Sequence, residues 1–151
     1  MRGMKGTGMI TNGSLVTLAS ALVLALAGGQ AQAAVLKVPA DFATIQAAVD
    51  TAASGDTVKL KKKCVAPNTT CGPNGEYQEV VDIDKKITLN CNGAVLDGAV
   101  QGDASTATPS AHLGGPGINI MSDGDGTTVV NCTVQNFEGE GIEVDDADGV
   151  T

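Results

Sequence analysis

The chain has 151 residues, 42% of them hydrophobic and only 2% aromatic, with a formal net charge of −8. That length sets a ceiling of one ordinary domain, and the acidic balance argues against a nucleic-acid partner and against an anionic membrane surface, both of which reward Lys and Arg. An anionic polymer such as a polyuronate would also be repelled unless calcium bridged the two.

The first segment reads as a leader. Arg2 and Lys5 make a basic start, Leu15 to Ala27 is an uncharged apolar run, and Ala31-Gln32-Ala33 offers the small residues of a cleavage site. The apolar run stops at Gly28-Gly29, short of the ~20 residues that a spanning helix needs. Residues 1–33 are therefore expected to be a secretory signal peptide, with no stable membrane insertion after cleavage. Cleavage removes two positive charges and moves the net charge from −8 to −10. Export sets the redox context for Cys64, Cys71, Cys91 and Cys132, since disulfides persist outside the cytosol. Cys64 and Cys71 bracket a turn-rich VAPNTT loop, which favours a local disulfide. A zinc site is the weaker alternative, for want of a C-x-x-C spacing or a nearby His.

The remainder, residues 34–151, is expected to be one domain. Leu36 to Pro39 is extended. Ile45, Ala48, Val49 and Ala52 then recur at helical spacing, predicting a short helix from about Thr44 to Ala53 with Asp41 as candidate N-cap and Ser54-Gly55 as stop. Beyond Gly55 the helical period does not return. Thr57 to Leu60, Val81 to Ile83 and Ile87 to Leu89 alternate as short strands.

An internal repeat follows. Gly117-Ile118-Asn119-Ile120 is echoed 24 residues on by Gly141-Ile142-Glu143-Val144, and Asp125-Gly126-Thr127 is echoed 23 residues on by Asp148-Gly149-Val150. ITLNC, ending at Cys91, and TVVNC, ending at Cys132, form a second echo at an offset of 41, longer by the Gly-, Ala- and Ser-rich loop from Ala99 to Pro116. In a parallel solenoid this register would set Asn90 on Asn131 and Cys91 on Cys132, about 4.8 Å apart. The two cysteines would then be either bonded or inert core thiols. An exposed first rung invites association, which gives the helix its role as cap.

TIQAAVDTAASGDTVKL (Thr44 to Leu60) followed by GEYQEVVDIDKKITLNCNGAVLDG (Gly75 to Gly98) resembles the opening of right-handed parallel β-helix proteins of the pectate-lyase-like superfamily. The resemblance spans most of Val38 to Thr151. It implies an all-β fold, a right-handed parallel β-helix with an N-terminal capping α-helix; because Thr151 stops partway through a repeat with no closing cap, further rungs are expected beyond it. Members include pectin methylesterases, pectate lyases, polygalacturonases, alginate epimerases and periplasmic copper-maturation accessory proteins, so fold is implied more sharply than activity. One departure is KKKCVAPNTTC between the GDTV strand and Gly75. It reads as a disulfide-pinned loop, with Lys61 to Lys63 a solvated run more than a binding patch.

The superfamily's enzymes use acidic pairs, calcium and often an arginine on the outer face of middle rungs. Here the sole Arg is Arg2, within the leader, and Lys lacks the planar fork that grips a carboxylate. Asp145, Asp146 and Asp148 are weak candidates for calcium or acid–base work, although strand neighbours point to opposite faces and a solvated turn is the simpler reading. Asp123 and Asp125 in Ser122-Asp123-Gly124-Asp125-Gly126 resemble part of a calcium loop without its later bidentate acid. His112 lies in the Ala99 to Pro116 loop and reads as exposed. Asn68-Thr69-Thr70 and Asn131-Cys132-Thr133 match the glycosylation sequon, to which the sequence assigns no role.

The function these readings imply is the N-terminal part of a secreted, periplasmic or extracellular enzyme acting on an acidic polysaccharide, as lyase, esterase, hydrolase or epimerase. Its reacting residues would lie outside this chain. A non-catalytic exported scaffold, adhesin or accessory protein is the alternative, and the missing arginine and few aromatics suit it.

Overall fold

The structure, a computed structural model, describes residues 32–68, 70–100 and 111–151. The basic start and apolar run of the predicted leader, Arg2 to Ala31, lie outside the described residues.

The chain is mostly strands with one helix, and nearly all strand pairing is parallel. β1 (Val35–Val38) leads into α1 (Ile45–Thr51) and β2 (Thr57–Leu60), followed by β3 (Val81–Ile83), β4 (Thr88–Asn90) and β5 (Val95–Asp97). A pair of two-residue strands, β6 (Ala99–Val100) and β7 (Ala111–His112), precedes β8 (Ile118–Ile120), β9 (Thr128–Val130), β10 (Thr133–Gln135) and β11 (Ile142–Val144). Three parallel sheets result, ordered β1-β2-β4-β9, β5-β10 and β3-β8-β11. From β3 onward the chain visits the three sheets in one fixed cycle, leaving β3, β4 and β5 and returning through β8, β9 and β10. Tyr77 extends the β5-β10 sheet through a parallel bridge to Leu96.

Period-two alternation produces this stacking. Each strand places every second residue inward, where Val58, Leu60, Val81, Ile83, Leu89, Leu96, Ile118 and Ile120 are all at most 1% exposed. Burying each such side chain contributes about 1.5–3 kcal/mol. Stacking puts like on like: Val81 pairs with Ile118 and then Ile142, and Ile83 with Ile120 and then Val144. The register between β8 and β11 equals the 24-residue repeat.

The predicted helix forms, shorter than expected. Its stripe of Ile45, Ala48, Val49 and Ala52 is buried, and α1 packs on β1, β2 and β3. Asp41 is not its N-cap. That carboxylate accepts the Lys37 N–H at 3.0 Å and closes the turn after β1, while Thr44 caps the helix by accepting the Ala47 N–H at 3.1 Å. Ala52 closes the helix, its N–H donating to the Ala48 and Val49 carbonyls, and Asp56 takes the N–H after it, accepting Ala53 N–H at 2.8 Å and Ala34 N–H at 2.7 Å. The aspartate of the GDTV motif thus ties the helix exit to the start of β1.

Both predicted cysteine relations take definite form. Cys64 and Cys71 are disulfide-bonded, and so are Cys91 and Cys132, 4.9 Å apart at Cα, which resolves the two options left open for the second pair. The asparagine stack needs correction by one residue. Asn90 faces Val130, and Asn131 turns the corner with φ 57°, its Nδ2 reaching Asn90 Oδ1 at 3.5 Å. The strands pair at an offset of 40, one less than the string echo, and the corners that follow are unequal: Cys91 to Ala94 separate β4 from β5 but only Asn131 and Cys132 separate β9 from β10. β4 also begins one residue later than its alternation suggested.

The Ala99 to Pro116 loop is likewise not wholly irregular, because β6 and β7 pair antiparallel at its neck. Gly98 sits where the loop leaves the stack. A Cβ there would collide with the Asn136 carbonyl oxygen and the Phe137 backbone, so no larger residue fits without moving main chain.

Tyr77 is fully buried, and its hydroxyl donates to the Lys61 carbonyl at 2.9 Å. Burial, with a smaller contribution from the Glu79 charge, pushes its pKa from 10.0 up to about 12. The unfolded chain loses this proton first, so the associated stability holds below pH 10 and is lost as pH rises towards about 12. Urea unfolding midpoints at about pH 8 and about pH 11 should therefore differ more for the native protein than for Tyr77→Phe. At neutral pH that variant loses about 1 kcal/mol with the hydrogen bond. Equal pH responses would contradict this account of Tyr77.

Candidate functional site

The outward faces carry the polar groups. The middle residues of VDI, INI and IEV in the β3-β8-β11 sheet are Asp82, Asn119 and Glu143, and the register stacks them in one column. Asn119 Nδ2 donates to Asp82 Oδ1 at 3.3 Å, while Asn119 Oδ1 is buried with no hydrogen-bond partner. The cap helix extends the column by one step. Gln46 Oε1 accepts the Asp82 N–H at 2.8 Å and Gln46 Nε2 donates to the Asp82 carbonyl at 3.1 Å, so this side chain stands in for a strand backbone. Asp82 and Glu143 sit two strand spacings apart, about 9.6 Å between backbones.

A second polar group stands on the β5-β10 sheet. Asp97 accepts from Gln135 Nε2 at 2.9 Å through one oxygen and from Asn136 Nδ2 at 3.0 Å through the other. Neither group was singled out from the sequence. The signal was available in the apolar-x-apolar triplets, whose centres must face outward once the flanking residues face in.

The residues that the sequence did single out fall elsewhere. Asp123 lies in a 3-10 turn, Ser122–Gly124, and Asp125 follows it. Asp125 Oδ1 accepts the Asp148 N–H at 2.7 Å, and Asp148 O accepts the Gly126 N–H at 2.8 Å, so these acids join equivalent turns of successive coils. Asp145 and Asp146 are exposed on the turn after β11, with Asp146 at φ 56°. Among the described residues no three His, Cys, Asp or Glu side chains are grouped as a metal site would require. His112 lies in β7 opposite Ala99.

Lys61 to Lys63 are exposed, and Lys62 and Lys63 border a shallow cleft of about 130 Å³ with Asn74, Glu76 and Gly93. Ligand pockets usually enclose about 300–1,000 Å³, so this cleft is a surface dimple against that scale. Glu76 is also turned back on its own loop, accepting the Asn74 N–H at 3.0 Å. Charge is unevenly spread: residues 87–151 contain neither Lys nor Arg, so the later coils are uniformly acidic. Among the described residues no helix is long and apolar enough to cross a membrane.

No family model matches the chain, and no solved structure matches it. Over 93 aligned residues the chain is 31% identical to a protein named "Cell surface glycoprotein" from Methanothermus fervidus. That similarity covers 52% of this chain and 16% of the relative, so the chain spans a small part of the length of the curated protein it matches.

Proposed function

We propose that this chain is a segment of an exported, surface-located right-handed parallel β-helix whose role is to serve as a scaffold. The observation that carries the reading is the coil-to-coil bonding. Three parallel sheets share one core, turns of successive coils bond to each other through Asp125 and Asp148, and the Cys91–Cys132 disulfide joins one coil to the next. Disulfides of this kind suit an oxidising compartment. The similarity to a cell surface glycoprotein supports the same location, and the relative's greater length suits a solenoid that continues in further rungs. On intact source cells, a membrane-impermeant amine reagent should label the exposed Lys61, Lys62 and Lys63. Labelling that appears only after lysis would sink the surface assignment.

The polysaccharide-enzyme reading puts its reacting residues outside this chain; within it, Asp82 and Glu143 are two acids on one outer face, with Asn119 between them. Under the scaffold reading, the secreted protein incubated with polygalacturonate and calcium yields neither new reducing ends nor unsaturated products. Reducing ends that disappear in both Asp82→Asn and Glu143→Gln would replace the scaffold with a hydrolase.

A further inference from the structure

The two Asn-x-Thr sequons stand in opposite environments. Asn68 is 7% exposed; its Oδ1 accepts the Thr70 N–H at 2.7 Å, and its Nδ2 is buried. It lies within the loop closed by Cys64 and Cys71. Its amide nitrogen cannot reach an external reactant without opening that loop.

Asn131 differs in each respect. It is exposed at the two-residue corner between β9 and β10, and Thr133, which completes the sequon, is exposed as well. Its φ of 57° is the left-handed conformation that Asn tolerates better than most residues and that places it at a corner. The backbone is fixed independently of the side chain: the Asn131 carbonyl accepts the Gly93 N–H at 2.8 Å, and the adjacent Cys132 is disulfide-bonded to Cys91. The side-chain amide makes one contact, to Asn90 Oδ1 at 3.5 Å, longer than a normal hydrogen bond. The corner below it, Asn92 and Gly93, is exposed too, leaving room for a bulky substituent.

We propose that Asn131 is an N-glycosylation site and that Asn68 is not. The co-reactant is an oligosaccharide carried on a polyprenyl phosphate or diphosphate. The Asn131 Nδ2 bonds to the anomeric carbon, the bond from that carbon to the lipid phosphate oxygen breaks with its electron pair on the phosphate, and one amide proton is transferred to the leaving phosphate. Thr133 supplies the hydroxyl that the sequon requires. The proposal rests on the exported reading, because such lipid-linked donors present their sugar outside the cytosol.

The test is peptide mass spectrometry on the secreted protein purified from its source cells. The expected result is a carbohydrate mass on Asn131 and none on Asn68, with the modification lost in Thr133→Ala and retained in Thr133→Ser. Processed protein with an unmodified Asn131, or with sugar on Asn68, overturns the proposal. Protein that retains residues 1–33 overturns the exported reading and the proposal with it.

Discussion

Serine in place of both Cys91 and Cys132 should lower unfolding stability by about 4 kcal/mol, against about 2.5 kcal/mol for the same change at Cys64 and Cys71. The difference follows from loop length. The first bond closes a sequence separation of 41 and the second a separation of 7, and the entropy withheld from the unfolded chain grows with the logarithm of that length. Position reinforces the ranking. Cys91 is fully buried in the stack, where it links the corner after β4 to the corner after β9, whereas the other pair closes a local surface loop. Urea unfolding of the two double variants, with comparable slopes, checks the order. A cost at Cys91 and Cys132 equal to or below that at Cys64 and Cys71 would show that the inter-coil bond does not hold the stack.

Glu79→Ala should cost about 3 kcal/mol, and Glu79→Gln about half as much. An isolated helix shorter than ~12–15 residues is marginal in water, so the seven residues of α1 depend on what surrounds their ends. Glu79 comes from the segment before β3, is 8% exposed, and accepts the Ile45 N–H at 2.9 Å and the Gln46 N–H at 3.2 Å through one oxygen. Its other oxygen accepts the Thr70 hydroxyl at 3.0 Å. One carboxylate therefore serves two first-turn donors, sits at the positive end of the helix, and joins the cap to the disulfide loop. Alanine leaves the buried Ile45 N–H without an acceptor; glutamine keeps one acceptor but loses the charge. Urea unfolding combined with amide exchange across α1 would read both effects. Native-like protection of Ile45 and Gln46 in Glu79→Ala would contradict the role given to this residue.

Much of the architecture is legible wherever local periodicity coincides with burial. The stripe from Ile45 to Ala52, the VDI strand and the 24-residue echo between Ile118 and Ile142 each repeat a pattern that one face must bury, and all three appear in the structure as predicted. Boundaries were less legible. Helix α1 is shorter than its apolar stripe, and Asp56 takes the N–H that follows Ala52, a contact that no periodicity reveals. The Asn90 and Asn131 echo is out by one residue because a string match aligns letters, whereas the register is set by which alternate residues of β4 and β9 face inward together. β5 and β10 are three-residue strands without a clear alternation of their own, and only stacking on each other defines them.

The polar columns were the least legible part. Asp82, Asn119 and Glu143 are 37 and 24 residues apart, and their adjacency exists only once the register is known. The acids that the sequence displays together are those clustered along the chain, Asp123, Asp125, Asp145, Asp146 and Asp148. Two of these, Asp125 and Asp148, turn out to link equivalent turns, which is a structural duty that sequence proximity disguised. Where parallel strands stack in register, groups on adjacent strands outrank groups one residue apart, because neighbours along a strand face opposite ways.

Export and the parallel strand register stand or fall together on the covalent state of the mature chain. A non-reducing peptide map of the secreted protein tests both halves at once. The predicted result is a mature N-terminus near Ala34 with Cys91 linked to Cys132 and Cys64 linked to Cys71. Retention of Arg2 and Lys5, or free thiols at Cys91 and Cys132, would contradict it.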